Sequence, residues 1–167
     1  MAVTFLLQML NENLERMIKL AGEFFETKND PTQISINAKS MSRLKRLHPA
    51  TMTERRTKKG PIAWMLVIPT TTKIMKEFIS KKIDEQELLD DTPVRAKYDA
   101  LYLCSALVLP EHRGKGYARR LTIKAIRSIQ KDHPIKHLFY WGFSNAGKKL
   151  AESAAEECDL PLSRRKI

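Results

Sequence analysis

Residues 100–120 read Ala100-Leu-Tyr-Leu-Cys-Ser-Ala-Leu-Val-Leu-Pro110-Glu-His-Arg113-Gly-Lys-Gly116-Tyr-Ala118-Arg-Arg120. An almost unbroken apolar run from Ala100 to Leu109 has the length of a buried strand, and Pro110 stops it. A short loop with two glycines follows. Ala118, Leu121, Ala125 and Ile129 then recur at three- and four-residue spacing, which predicts an amphipathic helix over about 117–131. Asp132-His133-Pro134 closes that helix, Ile135 to Phe143 reads as a second strand, and Ser144 opens a last helix to about Cys158. The order is strand, loop, helix, strand, helix.

Upstream, apolar side chains from Phe5 and Leu6 through Met17, Ile18, Phe24 and Phe25 predict a helix over 4–27, ended by Asn29-Asp30-Pro31. A second helix is expected over about 34–47, closed by His48-Pro49. Residues 50–60 read as an exposed basic loop or edge hairpin, and Ile62 to Ile68 as a buried strand. Residues 71–82 and 84–91 read as helices, the second one acidic and solvated. The fold class expected is α/β (α+β), a single mixed-sheet domain over 1–167 with a helical N-terminal segment. Residues 1–97 form its helix-rich half.

Composition narrows the function classes. The chain has 167 residues, 43% of them hydrophobic and 29% charged, a globular balance. Its longest strongly apolar run, Ile62 to Pro69, is far short of the roughly 20 residues that span a bilayer. The N-terminus lacks a basic n-region, and Cys104 and Cys158 form no CxxC, so the expectation is a cytoplasmic protein without a membrane partner. The formal charge of +11 is uneven. Residues 39–59 and 112–131 each carry a net +7, and Arg164-Arg165-Lys166 adds three more positive charges.

The loop at 110–116 concentrates the chemistry. Two glycines allow a tight turn whose N–H groups converge on an anion, and the next helix adds unpaired N–H groups. Arg113, Lys115, Arg119 and Arg120 surround it. A pyrophosphate suits such a nest. A P-loop would need GxxxxGK followed by Ser or Thr, and a dinucleotide fingerprint a third glycine where Arg119 stands.

Arg113-x-x-Gly116-x-Ala118, preceded by Val108-Leu-Pro110, resembles the Q/R-x-x-G-x-G/A signature of the GNAT acetyltransferase superfamily. The resemblance covers about residues 98–158 and implies a GNAT-like domain that binds acetyl-CoA or coenzyme A. It implies that Leu107, Val108 and Leu109 offer backbone groups to pantetheine. Arg113, Gly114, Lys115, Gly116, Tyr117 and Ala118 would then wrap the pyrophosphate. Lys115, Arg119 and Arg120 would reach the diphosphate or 3′-phosphate. Leu138 to Phe143 would be a strand splayed away to admit the thioester. Ser144 and Asn145 stand near the family's Asn-x-x-Ala position, although Ser144 is also a good N-cap. The implied activity is N-acetyl transfer from acyl-CoA to an unidentified amine by direct attack.

The chain departs from the family at Ala151, where a thiolate-protonating tyrosine often stands, and in its short C-terminus. No catalytic acid or base is assigned. Tyr102, Tyr140, Cys104, Asp99 and Glu77 are candidates that packing explains equally well. Trp64 and Trp141 read as core residues. Pro134 keeps His133 and His137 off one helical face, so no metal site is expected. The competing readings are a catalytically silent coenzyme A-binding module and a basic nucleic-acid binder. Scarce stacking aromatics weigh against the latter. A homodimer is left open.

Overall fold

Asn37 opens a helix by a reciprocal cap: its side chain accepts from Ser40 N at 3.0 Å, and Ser40 Oγ accepts from Asn37 N at 2.9 Å. That pair sets the start of α2 (Ala38–Leu47), later than the apolar spacing suggests. The computed structural model describes residues 13–23, 31–35 and 37–167. Residues 13–23 form α1; the remainder of the helix expected over 4–27, with its Asn29-Asp30 stop, lies outside the described residues. Residues 31–35 do not join α2. Their backbone is tied to α4 (Glu85–Asp91), with Glu85 N donating to Thr32 O and Ile34 N donating to Glu85 Oε2, both at 3.0 Å.

The basic segment after α2 is the edge hairpin, β1 (Met52–Thr57) turning through Lys58-Lys59 into β2 (Gly60–Thr70). Then come α3 (Thr72–Ile79), α4, β3 (Ala100–Val108), α5 (Tyr117–Asp132), β4 (His137–Trp141), α6 (Asn145–Glu157) and β5 (Leu162–Arg165). The five strands form one mixed sheet in the order β1-β2-β3-β4-β5. The first two pairings are antiparallel and the last two parallel. Right-handed crossovers put α5 and α6 on one face. On the other, Phe78 of α3 stacks against Tyr102 at 5.0 Å and Phe139 at 6.0 Å. No helix among the described residues is long and apolar enough to cross a membrane.

Two charged side chains lie where sequence reading does not place them. The acidic α4 is not a solvated face throughout: Glu85 is buried, because it shares a stripe with Leu88 and Leu89 at three- and four-residue spacing. Arg165, read from sequence as part of a basic tail, belongs to a strand the sequence did not suggest. Its guanidinium donates to Phe78 O at 2.6 Å and Ile83 O at 2.7 Å and lies over the rings of Phe78 and Trp141 at 4.3 and 4.6 Å. It caps the C-terminal end of α3 and fastens β5 to the sheet.

Charged hydrogen bonds of this kind contribute about 1.5–3 kcal/mol each. Arg165→Met should therefore lower urea-unfolding stability by about 3 kcal/mol, against under about 0.5 kcal/mol for the exposed Lys166→Ala. Equal effects at the two positions would contradict a structural role for Arg165.

Candidate functional site

Strands β3 and β4 pair only from Ala100↔His137 to Leu103↔Tyr140. Beyond that point β3 continues to Val108 against β2 alone, so its other edge is open. A register slip coincides with the parting: Leu66 pairs with Ser105 and Val67 with Leu103, leaving Cys104 as an extra residue. Such a bulge bends the strand and increases its twist, which carries β3 away from β4.

Pleat parity decides which backbone groups line the open edge. Leu109 N donates to Ile62 O at 2.9 Å, so Leu107 and Leu109 turn their N–H and C=O toward β2. Of the three residues expected to offer backbone groups, only Val108 faces outward, together with Ala106. Leu107 and Leu109 instead bury their side chains with Ile62 and Met17. Val108 O already accepts Arg113 Nε at 3.1 Å.

The loop behaves as a nest. Gly114 and Gly116 have φ of +74° and +75°, the left-handed region that a residue with a Cβ enters at a cost. Gly116 is the N-cap of α5 and provides no side-chain cap, so the N–H groups of residues 116–119 lack intrahelical acceptors. No acidic residue lies in that first turn. Arg120 folds back over it: a Cβ at Gly116 would meet Arg120 Nη1 at 3.0 Å. Tyr117 holds this guanidinium at 5.0 Å from its ring centroid and Arg55 at 6.0 Å. Positive charge at the positive end of a helix dipole is unfavourable alone and becomes favourable once an anion sits between. Lys115 is exposed beside the nest, and Ala118 lies in the first turn of α5. Arg16 of α1 reaches the neighbouring Glu111 with two contacts of 2.7 and 2.8 Å, holding its carboxyl down at about 2.

Both helices that follow the parallel strands start at this end of the sheet. Ser144 is the N-cap of α6, its Oγ accepting from Gly147 N at 3.0 Å, and Asn145 is the first helical residue. Trp141 and Phe143 stack at 4.5 Å where β4 ends, with Phe143 exposed and Trp141 Nε1 unpartnered among the described residues.

The catalytic candidates are scattered. Asp99 is used structurally, accepting from Thr72 N at 2.6 Å, and Tyr140 is buried. Glu77 is half-buried on α3. Tyr102 and Cys104 converge on the one acid not singled out from sequence. The Tyr102 hydroxyl donates to Glu85 Oε1 at 2.6 Å, and Cys104 Sγ lies 3.5 Å from the same oxygen. Burial pushes the Glu85 carboxyl, the Tyr102 hydroxyl and the Cys104 thiol upward. The cluster sits at the bulge, at the closed end of the gap. Its sequence signal was the Glu85, Leu88, Leu89 stripe. Ala151 is buried in α6 and supplies no acid. His133 stacks on Tyr98, and His137 bonds Ser163; among the described residues no His, Cys, Asp and Glu group could hold a metal ion.

No family model, curated protein or solved structure matches the chain. The reading of the site therefore stands on its geometry and on the signature residues.

Glu85 gives a signed pH test. Its folded carboxyl sits above its ordinary value of about 4.3, so the stability it contributes is complete below that value and is lost as pH rises through the raised one. Glu85→Gln keeps an acceptor for Ile34 N without the buried charge. The variant should gain on wild type in urea unfolding between pH 4 and pH 8, and a difference independent of pH would contradict a raised Glu85.

Proposed function

We propose that the protein is an acyl-CoA-dependent N-acyltransferase of GNAT-like architecture, taking acetyl-CoA as donor and an amine as acceptor. The observation that carries this reading is the parting of β3 and β4 beyond Leu103 and Tyr140, immediately above the Arg113-x-x-Gly116-x-Ala118 nest. A slot bounded by a free strand edge suits an extended amide-bearing arm, which pairs as an added strand would. Ala106 and Val108 are the residues whose backbone faces that arm. The amides of 116–119, with Arg120 and Lys115, would hold a diphosphate.

Acetyl-CoA supplies an activated thioester carbonyl. Transfer then forms a C–N bond and breaks the C–S bond, the amine losing a proton and the sulfur leaving as thiolate. The chain's contribution is chiefly positioning, which in favourable intramolecular cases lowers a barrier by about 7–11 kcal/mol. Trp141 and Phe143 give the slot an aromatic flank at the end of β4. The Glu85–Tyr102–Cys104 cluster braces the bulge where the reacting carbonyl would lie.

A second reading, a coenzyme A-binding module without turnover, is favoured by one observation: apolar Ala151 occupies the position at which the family often carries an acid. Release of free thiol with a broad panel of amines would exclude it.

Coenzyme A at 100 times Kd should stabilise the fold by about 2.7 kcal/mol, read as a rise in melting temperature. Gly116→Trp strains a left-handed residue and drives a side chain into Arg120, so it should abolish that rise while leaving a folded circular-dichroism spectrum. No response of wild type at millimolar coenzyme A would overturn the proposal.

A further inference from the structure

Helix α5 places Arg120, Lys124, Arg127 and Lys131 at successive spacings of four, three and four residues. At 3.6 residues per turn they fall within an arc of roughly 60°. All four are exposed, opposite the buried Leu121, Ala125 and Ile129. Among the described residues only Arg127 has an acidic partner, Glu157 at 3.1 Å, and Glu157 is shared with Arg119. The pairs Arg120–Lys124 and Arg127–Lys131 are like charges four apart, which destabilises a helix by a few tenths of a kcal/mol each. A row of this kind has no internal counter-charge.

The row continues onto neighbouring elements. Arg55 lies over Tyr117 as Arg120 does, so the basic end of the β1–β2 hairpin abuts the start of α5, with Lys58 and Lys59 exposed at its turn. At the far end His48 Nε2 and Asp132 Oδ2 are 2.8 Å apart, which brings the exposed Lys45 and Arg46 of α2 close to the end of α5. A groove of about 520 Å³ runs along the helix between this row and Glu157. Lys131 lies about 16 Å along the axis from Arg120, too far for a pyrophosphate in the nest to neutralise it.

We propose that this flank, the β1–β2 hairpin with the outer row of α5, is a docking surface for the phosphate backbone of a nucleic-acid duplex. Its charge is linear and α5 is about 24 Å long, the axial reach of about seven base pairs at 3.4 Å each. Single-strand binding would call for exposed stacking rings, and Tyr117 is already covered by two guanidinium groups. A bilayer would call for apolar insertion, and of the large exposed apolar side chains only Met52 lies on this flank among the described residues.

The test is fluorescence anisotropy with a labelled 20-base-pair DNA duplex of mixed sequence between 50 and 200 mM salt. Wild type should lose about a hundredfold in affinity over that range if four phosphates are neutralised. The quadruple variant Lys58→Ala, Lys59→Ala, Lys124→Ala, Lys131→Ala should bind at least about tenfold more weakly at 50 mM, with a log–log salt slope lower by about 3.6. No binding by wild type at 50 mM overturns the proposal. So does an unchanged slope in the variant, or tighter binding to phosphatidylserine–phosphatidylcholine vesicles than to duplex. The thermal response to coenzyme A, measured on both proteins, is a separate readout. If it is absent from both while the duplex results hold, the docking surface stands and the acyltransferase reading falls.

Discussion

Parallel pairing between β3 and β4 lasts for only four residues on each strand, and the candidate site follows from where it stops. The paired positions Ala100 to Leu103 and Leu138 to Tyr140 are buried, so the join is held by packing on both faces as well as by its ladder. At Cys104 the extra residue turns β3 aside, and Glu85 fixes that turn from above by taking the Tyr102 hydroxyl and lying against the Cys104 thiol. On the other side Arg165 clamps α3 to β5 and so restrains β4. The gap is a built feature, braced on both flanks.

The positive charge divides by role. Arg43 donates to the carbonyls of Leu89, Asp90 and Thr92 and caps α4; Arg165 does the same service for α3. Arg119 and Arg127 share Glu157. These residues explain part of the excess through folding. Arg120, Lys115 and Arg113 gather at the nest, while Lys58, Lys59, Lys124 and Lys131 stand in the open.

The strand–loop–helix–strand order was legible because apolar runs, Pro110 and the two glycines punctuate it unambiguously. The nest was legible too, since glycine spacing and a following helix suffice to define one. What sequence could not give was pleat parity: whether Leu107 or Val108 faces the gap depends on the bond from Leu109 N to Ile62 O, a partner some 47 residues distant. The burial of Glu85 and Arg165 was hidden because charged residues are ordinarily exposed, and only tertiary carbonyls and ring faces stabilise them inside. The strand β5 was missed because a tetrapeptide with two arginines carries no strand pattern, and pairing with β4 supplies what local propensity does not.

The central claim, that the open edge of β3 and the nest form one slot for coenzyme A, is most directly tested by backbone amide chemical shifts recorded during titration with coenzyme A. The account predicts saturable shifts at Ala106, Val108 and residues 114–119, with the buried Leu101–Leu103 amides little changed. Shifts confined to the outer row of α5, or absent from Ala106 and Val108 at saturation, would contradict it.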